Sequence, residues 1–264
     1  MSKGRAPRTS VWLSGKAGAP KHRISTAGEG LDRDRIVAAS IRLLDAEGLA
    51  KFSMRKLASE LGVTAMSVYW YVDNKDDLLE YVMDEVSAEM RVPDPTDESE
   101  DWRDQLRLLA FEYRAMLLDH PWMPQLVGQF QNIGPHAMKF ADVSLAVMRR
   151  CGVPPESMSG AISALFQFVF GYSTAWGLYR ERCKAAGLGE EEYYQDVLEA
   201  VTNRTDLMET YKESAEMLRS RDTDTVEQMF TRDFEFGLET VIAGIEVMRD
   251  RVLAEQGPQE RQNA

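Results

Sequence analysis

Three large rings stand side by side at Tyr69, Trp70 and Tyr71, between a Leu-Gly-Val turn at residues 61–63 and the charged run Asp73 to Asp77. Phenol and indole groups donate hydrogen bonds to phosphate oxygens. Small or apolar side chains such as Ala65, Met66 and Ser67 can approach base edges and thymine methyls. Arg55 and Lys56 precede this cluster and Lys75 follows it. Each cation falls in the first turn of an expected helix, where it opposes the helix dipole at a local cost of ~0.3–1 kcal/mol. A solvated surface charge would account for any one of them. All three beside an outward indole make sense if a polyanion lies against them.

The elements that must position these groups are short helices. Asp32 is a candidate N-cap for a helix carrying Ile36, Val37, Ile41, Leu43 and Leu44 to a stop at Gly48. Ser53, Thr64 and Asn74 are the next caps, and Gly62 ends the second segment. Successive helical residues turn by about 100°, so if Val68 and Val72 face inward, Tyr69 and Tyr71 flank them and Trp70 points away. Met66 and Ser67 turn outward on the same reasoning. Helix, glycine turn and helix follow one another in SMRKLASELGVTAMSVYW at helix-turn-helix spacing, with the second helix placed to enter a major groove.

The net charge of −12 argues against nucleic acid at first sight, but its distribution matters more. Residues 1–31 carry six Lys/Arg against Glu29 alone, while the acids concentrate after residue 92. Catalytic motifs fail on context. Ser53–Lys56 reads SxxK without its partner motifs, and Gly171–Ala175 nearly reads GxSxG inside a helical region where a strand is required. GKAGAPKH lacks the phosphate-loop spacing. Two cysteines and three histidines form no metal-ligand pattern, so no enzyme, no cofactor and no metal are expected.

The stretch over residues 32–90, with its LxxxxGL…S.R.LA..LGV…VYWYV.NK.DLL skeleton, resembles the DNA-binding head of the tetracycline-repressor-like (TetR) family. The later helices, including FEFGLETVIAGIE, are similar to that family's ligand-binding body. The resemblance implies that Arg55, Ala65, Met66 and Ser67 read bases, while Tyr69, Trp70, Tyr71 and Lys75 hold phosphates; Lys56, beside Arg55, is a further DNA-binding candidate. It also implies operator DNA, a homodimer and a small-molecule effector as partners. The family often has an amide at position 65 or 66; Ala65 and Met66 imply a different operator sequence.

The fold class expected is all-α: a small N-terminal helix-turn-helix domain and a larger C-terminal helical domain for ligand binding and dimerisation. The boundaries read as a flexible basic tail at 1–31, the head at 32–90, a linker at 91–101, the body at 102–254 and a flexible tail at 255–264. Body helices are expected near 102–119, 122–131, 135–151, 155–186, 190–218 with interruptions, and 223–254. Residues 157–179 hold no charge and are long enough to span a bilayer, but scattered Ser, Gln and Thr favour a helix buried in protein.

Phe166, Tyr172, Phe234, Leu238, Val241, Ile242 and Ile245 are candidates for the dimer interface, with an intrachain core as the alternative. The broken stretch from His120 to Phe140 resembles the family's pocket-lining region. It offers Trp122, Met123, Gln125, Phe130, Asn132, His136 and Phe140, to which Phe170 is added. The function implied is a ligand-responsive transcriptional repressor in the cytoplasm. The alternative is a helical small-molecule or partner-binding protein whose acidic head no longer holds DNA.

Overall fold

In the computed structural model, all four anticipated N-caps are formed. The Asp32, Ser53, Thr64 and Asn74 side chains accept from the backbone N–H of Arg35, Lys56, Ser67 and Asp77. Such caps satisfy donors that a helix start leaves orphaned, each contributing typically ~1 kcal/mol. The structure describes residues 10–13, 30–219 and 224–260; most of the anticipated N-terminal tail lies outside these, whereas the stretch read as a C-terminal tail from residue 255 continues the last helix as far as Glu260. Among the described residues there are twelve α-helices and no strand, as the periodicity predicts.

The packing divides the chain into two compact units, Met1–Cys151 and Gly152–Ala264. The first begins with α1 (Arg33–Glu47), α2 (Met54–Glu60), α3 (Ala65–Tyr69) and α4 (Lys75–Ser87). Ile36, Leu44, Leu57, Val68, Leu78 and Val82 fill the core between them. The α2–α3 turn passes through Gly62 at φ 67°, the left-handed region where a side chain would be strained. α5 (Trp102–Asp119), the short α6 (Met123–Val127) and α7 (Pro135–Arg150) complete this unit, and α4 packs against α1, α6 and α7. The expected linker is pinned down. The Arg91 guanidinium and backbone N–H both bond Glu112 on α5, and Arg150 of α7 donates to the Glu100 carbonyl at 2.9 Å.

Within the stretch read as a basic tail, Ser10–Leu13 forms a turn seated on α4. Ser10 Oγ and the Val11 N–H both donate to the Glu80 carboxylate, and Trp12 meets the Tyr81 ring edge-on at 5.2 Å. Val11 is buried there. The apolar character of Val11 and Trp12 is the sequence signal for this contact.

The second unit is built on two long helices, α8 (Pro155–Ala186) and α12 (Val226–Glu260). α9 (Glu190–Thr202), α10 (Thr205–Thr210) and α11 (Lys212–Arg219) lie between them in sequence, realising the interrupted region expected after residue 190. The α8–α12 seam is aromatic: Phe168 stacks on Phe234 at 5.6 Å and Trp176 on Phe230 at 4.8 Å. α8 keeps a stripe of Gly160, Ala164, Gln167, Gly171, Ala175 and Leu178 exposed. Among the described residues, no helix is long and apolar enough to cross a membrane.

Candidate nucleic-acid interface

The recognition element is one and a half turns of helix held from behind. Val68 and Val72 are fully buried, and the 100° rotation between neighbours sends Trp70 outward, where it is 71% exposed. Tyr69 is 41% exposed on one shoulder and Tyr71 is half-buried on the other. Met66 is 69% exposed, while Ala65 and Ser67 are half-buried. The Ser67 hydroxyl is engaged with Thr64 Oγ1 at 2.9 Å, so within the trio Met66 is the side chain presented most fully.

The three cations behave differently from one another. Arg55 is exposed at the start of α2 with no ion pair among the described residues. Lys56, beside it, is paired with Glu47 at the end of α1. That pair is solvent-exposed and contributes only ~0–1 kcal/mol, so a phosphate can compete for the ammonium. Lys75 is turned inward. Its Nζ donates to the Phe52 carbonyl at 3.0 Å and lies 5.2 Å from the centre of the Phe52 ring. This cation ties the start of α4 to Phe52, just ahead of the Ser53 cap of α2, a structural task that nothing in the neighbouring sequence signals.

The stretch from His120 to Phe140 holds side chains with separate duties. Trp122 and Met123 are buried, and the Trp122 indole N–H donates to Asp45 of α1 at 2.7 Å. Gln125 and Asn132 are exposed, and Phe130 and Phe140 are half-buried. Phe140 lies 6.1 Å from the Tyr113 ring, whose phenol burial pushes up to about 12. His136 sits at the first turn of α7, with its Nδ1 3.0 Å from Asp84. Phe170, in the second unit, is half-buried on α8.

His120 completes a bridge between α1 and Glu89, two residues past the end of α4. Its two ring nitrogens lie 2.8 Å from Asp45 and 3.0 Å from Glu89. Burial works against the charged ring, but the hydrogen bonds and charges of the two carboxylates outweigh it and hold its pKa above the usual histidine value. The sequence carries no sign of this bridge, because its members are 75 and 31 residues apart.

Much of the stripe expected to face a partner packs within the second unit. Phe234, Leu238, Ile242 and Ile245 are buried by the chain's own packing. Phe166, Tyr172 and Val241 are half-buried, with the Tyr172 hydroxyl donating to the Phe230 carbonyl. α8 covers much of this face of α12. Among the described residues, the outward large apolar residues of α12 are Phe236, Val247, Met248 and Leu253. A groove of about 490 Å³ opens between α8 and α12, lined by Gly160, Ala161 and Ala164 on one side and Val241, Ile245 and Met248 on the other.

Residues 36–82 match the family model described as bacterial regulatory proteins of the tetR family, and residues 94–249 match the tetracyclin repressor-like C-terminal domain. An HTH-type transcriptional regulator of Saccharopolyspora erythraea is 35% identical over 155 residues, covering 59% of this chain and 65% of that relative. The HTH-type transcriptional repressor DrrR1 of Streptomyces coeruleorubidus is 30% identical over 233 residues, covering 86% of this chain and 82% of its own. The structure of ActR from Streptomyces coelicolor in complex with actinorhodin superimposes with a TM-score of 0.66 at 27% identity, over 84% of this chain and 99% of that one.

Proposed function

This chain belongs to the tetracycline-repressor family of bacterial regulatory proteins and is a ligand-responsive, DNA-binding transcriptional regulator; we propose that it is a repressor that holds a pseudo-palindromic operator as a homodimer and releases it when a small apolar effector binds the body. One observation carries the DNA reading: an indole 71% exposed on a helix whose other face is fully buried. Burying that ring against solvent gains nothing for the folded chain, whereas against a duplex it supplies an apolar plane and an N–H donor. Arg55, Ala65, Met66 and Ser67 meet the base edges. Lys56, Tyr69, Trp70 and Tyr71 meet the phosphates, and Lys75 supports them from inside the head through Phe52.

The exposed apolar surface of the second unit supports a homodimer. The small-residue stripe of α8 and the groove lined by Gly160, Ala164, Val241 and Met248 offer apolar surface that a second copy would cover. Two recognition helices would then enter successive major grooves ~34–36 Å apart. ActR, solved with actinorhodin, supports a small-molecule effector, for which the half-buried rings Phe130 and Phe140 are candidates beside Trp122, Met123, Gln125, Asn132 and His136, with Phe170 a separate candidate in the second unit. Operator binding places the protein in the cytoplasm, and no step of this function calls for catalysis or a cofactor.

The test is retention of genomic duplexes bearing inverted repeats, measured at two salt concentrations. A phosphate-anchored complex weakens steeply with salt, the slope of log K against log [salt] growing by about 0.9 per phosphate neutralised. Failure to retain any duplex at low salt would leave the helical small-molecule binder as the better description.

A further inference from the structure

α7 starts without a cap of its own. Gly134 stands at its N-cap position and offers no side chain, Pro135 has no N–H, and no acid occupies the first turn. The missing acceptor comes from another helix. Asp84, buried on α4, accepts the His136 N–H at 3.0 Å and the Ala137 N–H at 3.1 Å through one carboxylate oxygen. Its second oxygen takes the His136 ring nitrogen at 3.0 Å. A β-carbon at residue 134 would stand 2.2 Å from that carboxylate, so the approach depends on glycine.

A buried carboxylate is tolerable only while its partners stay in place. We propose that Asp84 is a positioning residue that couples the effector-binding stretch to the DNA-binding head, by making the register of α4 conditional on the position of the first turn of α7. α4 is suited to the task. Its start is tied to the head through Lys75 and Phe52, its middle packs on α1, and Asp84 near its end holds α7. Phe130 and Asn132 lie just before α7, and Phe140 lies on it. A ligand seated among them that shifted the first turn would strand the Asp84 carboxylate unless α4 moved as well. This inference rests on the repressor reading and identifies the residue through which its two halves communicate.

The test uses the full chain, a duplex recovered by selection from genomic fragments, and hydrogen exchange at the His136 and Ala137 amides. Binding linkage is reciprocal, so if the effector region biases the head, operator must bias the first turn of α7. In the unsubstituted chain, saturating operator is expected to change exchange at these amides by about fivefold or more, the lower end of ordinary allosteric coupling. Asp84→Ala should exchange faster there and lose the response to operator. Asp84→Asn keeps the shape and one acceptor oxygen for the His136 and Ala137 N–H groups, and should restore most of the response. A purely structural role would raise exchange in Asp84→Ala but leave the operator-dependent change intact, which overturns the proposal. So does an unsubstituted chain that binds operator with both amides indifferent. If Asp84→Ala does not fold, Asp84→Asn and Gly134→Ala decide it, the latter by driving a methyl into the carboxylate and abolishing the response. Absence of any duplex binding is a separate result, which removes the repressor reading and this inference together.

Discussion

Trp70→Ala separates binding from folding more sharply than any other substitution in the head. A tryptophan presents ~150–250 Å² of surface, and 71% exposure leaves most of it available for DNA to cover. At ~25 cal/mol per Å², that area sets a ceiling of roughly 3–4 kcal/mol on the binding lost. Buried area converts to affinity incompletely, so the expected cost is ~2 kcal/mol, about a 30-fold weaker Kd. The part of the ring already covered limits the stability lost to about 1–2 kcal/mol by the same area rule. Leu57→Ala is the counter-example, since Leu57 is fully buried and its truncation should cost ~2–5 kcal/mol of head stability while leaving the outward rings untouched. Fluorescence anisotropy with operator and scrambled duplexes measures the first quantity, and urea denaturation followed by circular dichroism the second. Trp70→Ala should weaken both duplexes by the same factor, because an indole on a phosphate carries no sequence information. Undiminished affinity would refute the argument. A loss confined to operator would show that the indole reads bases instead.

Arg55→Ala should lower operator affinity by ~1–3 kcal/mol and leave scrambled duplex little changed, which competition binding on a substituted operator set would reveal. Lys75→Met leaves the Phe52 carbonyl without its donor and should reduce thermal stability by ~1–2 kcal/mol, with affinity falling only as far as the fold does. Ala164→Glu places a charge in the α8–α12 groove; sedimentation should find a monomer of normal helicity that no longer retains operator. His120 has a folded pKa above its unfolded value, so its contribution to stability is complete below about pH 6.5 and is lost as pH rises through the folded pKa. The stability gap between the unsubstituted protein and His120→Gln should therefore be widest in mild acid and narrow toward alkaline pH; a gap that widens with pH would contradict the bridge to Asp45 and Glu89.

Much of this protein is legible along the chain because its helices announce themselves locally. Asp32, Ser53, Thr64 and Asn74 cap helices within three residues of themselves, so neighbouring positions alone determine where α1 to α4 begin. Pro135 and Pro155 mark two more starts in the same way. The outward indole follows from a rotation of 100° per residue and two inward valines.

What the chain could not reveal is how each exposed-looking group is used. Lys75 reads as a phosphate ligand until Phe52 is found 23 residues away, and Asp84 as one more acid on an acidic head until α7 arrives 52 residues later. The apolar stripe of α12 is a partner's surface or an internal seam depending on where α8 lies, and the fold puts α8 upon it. Periodicity decides which face of a helix avoids water, because that is a property of consecutive residues. Which group meets that face, or neutralises that charge, depends on segments brought together only by folding, and there the tertiary structure alone decides.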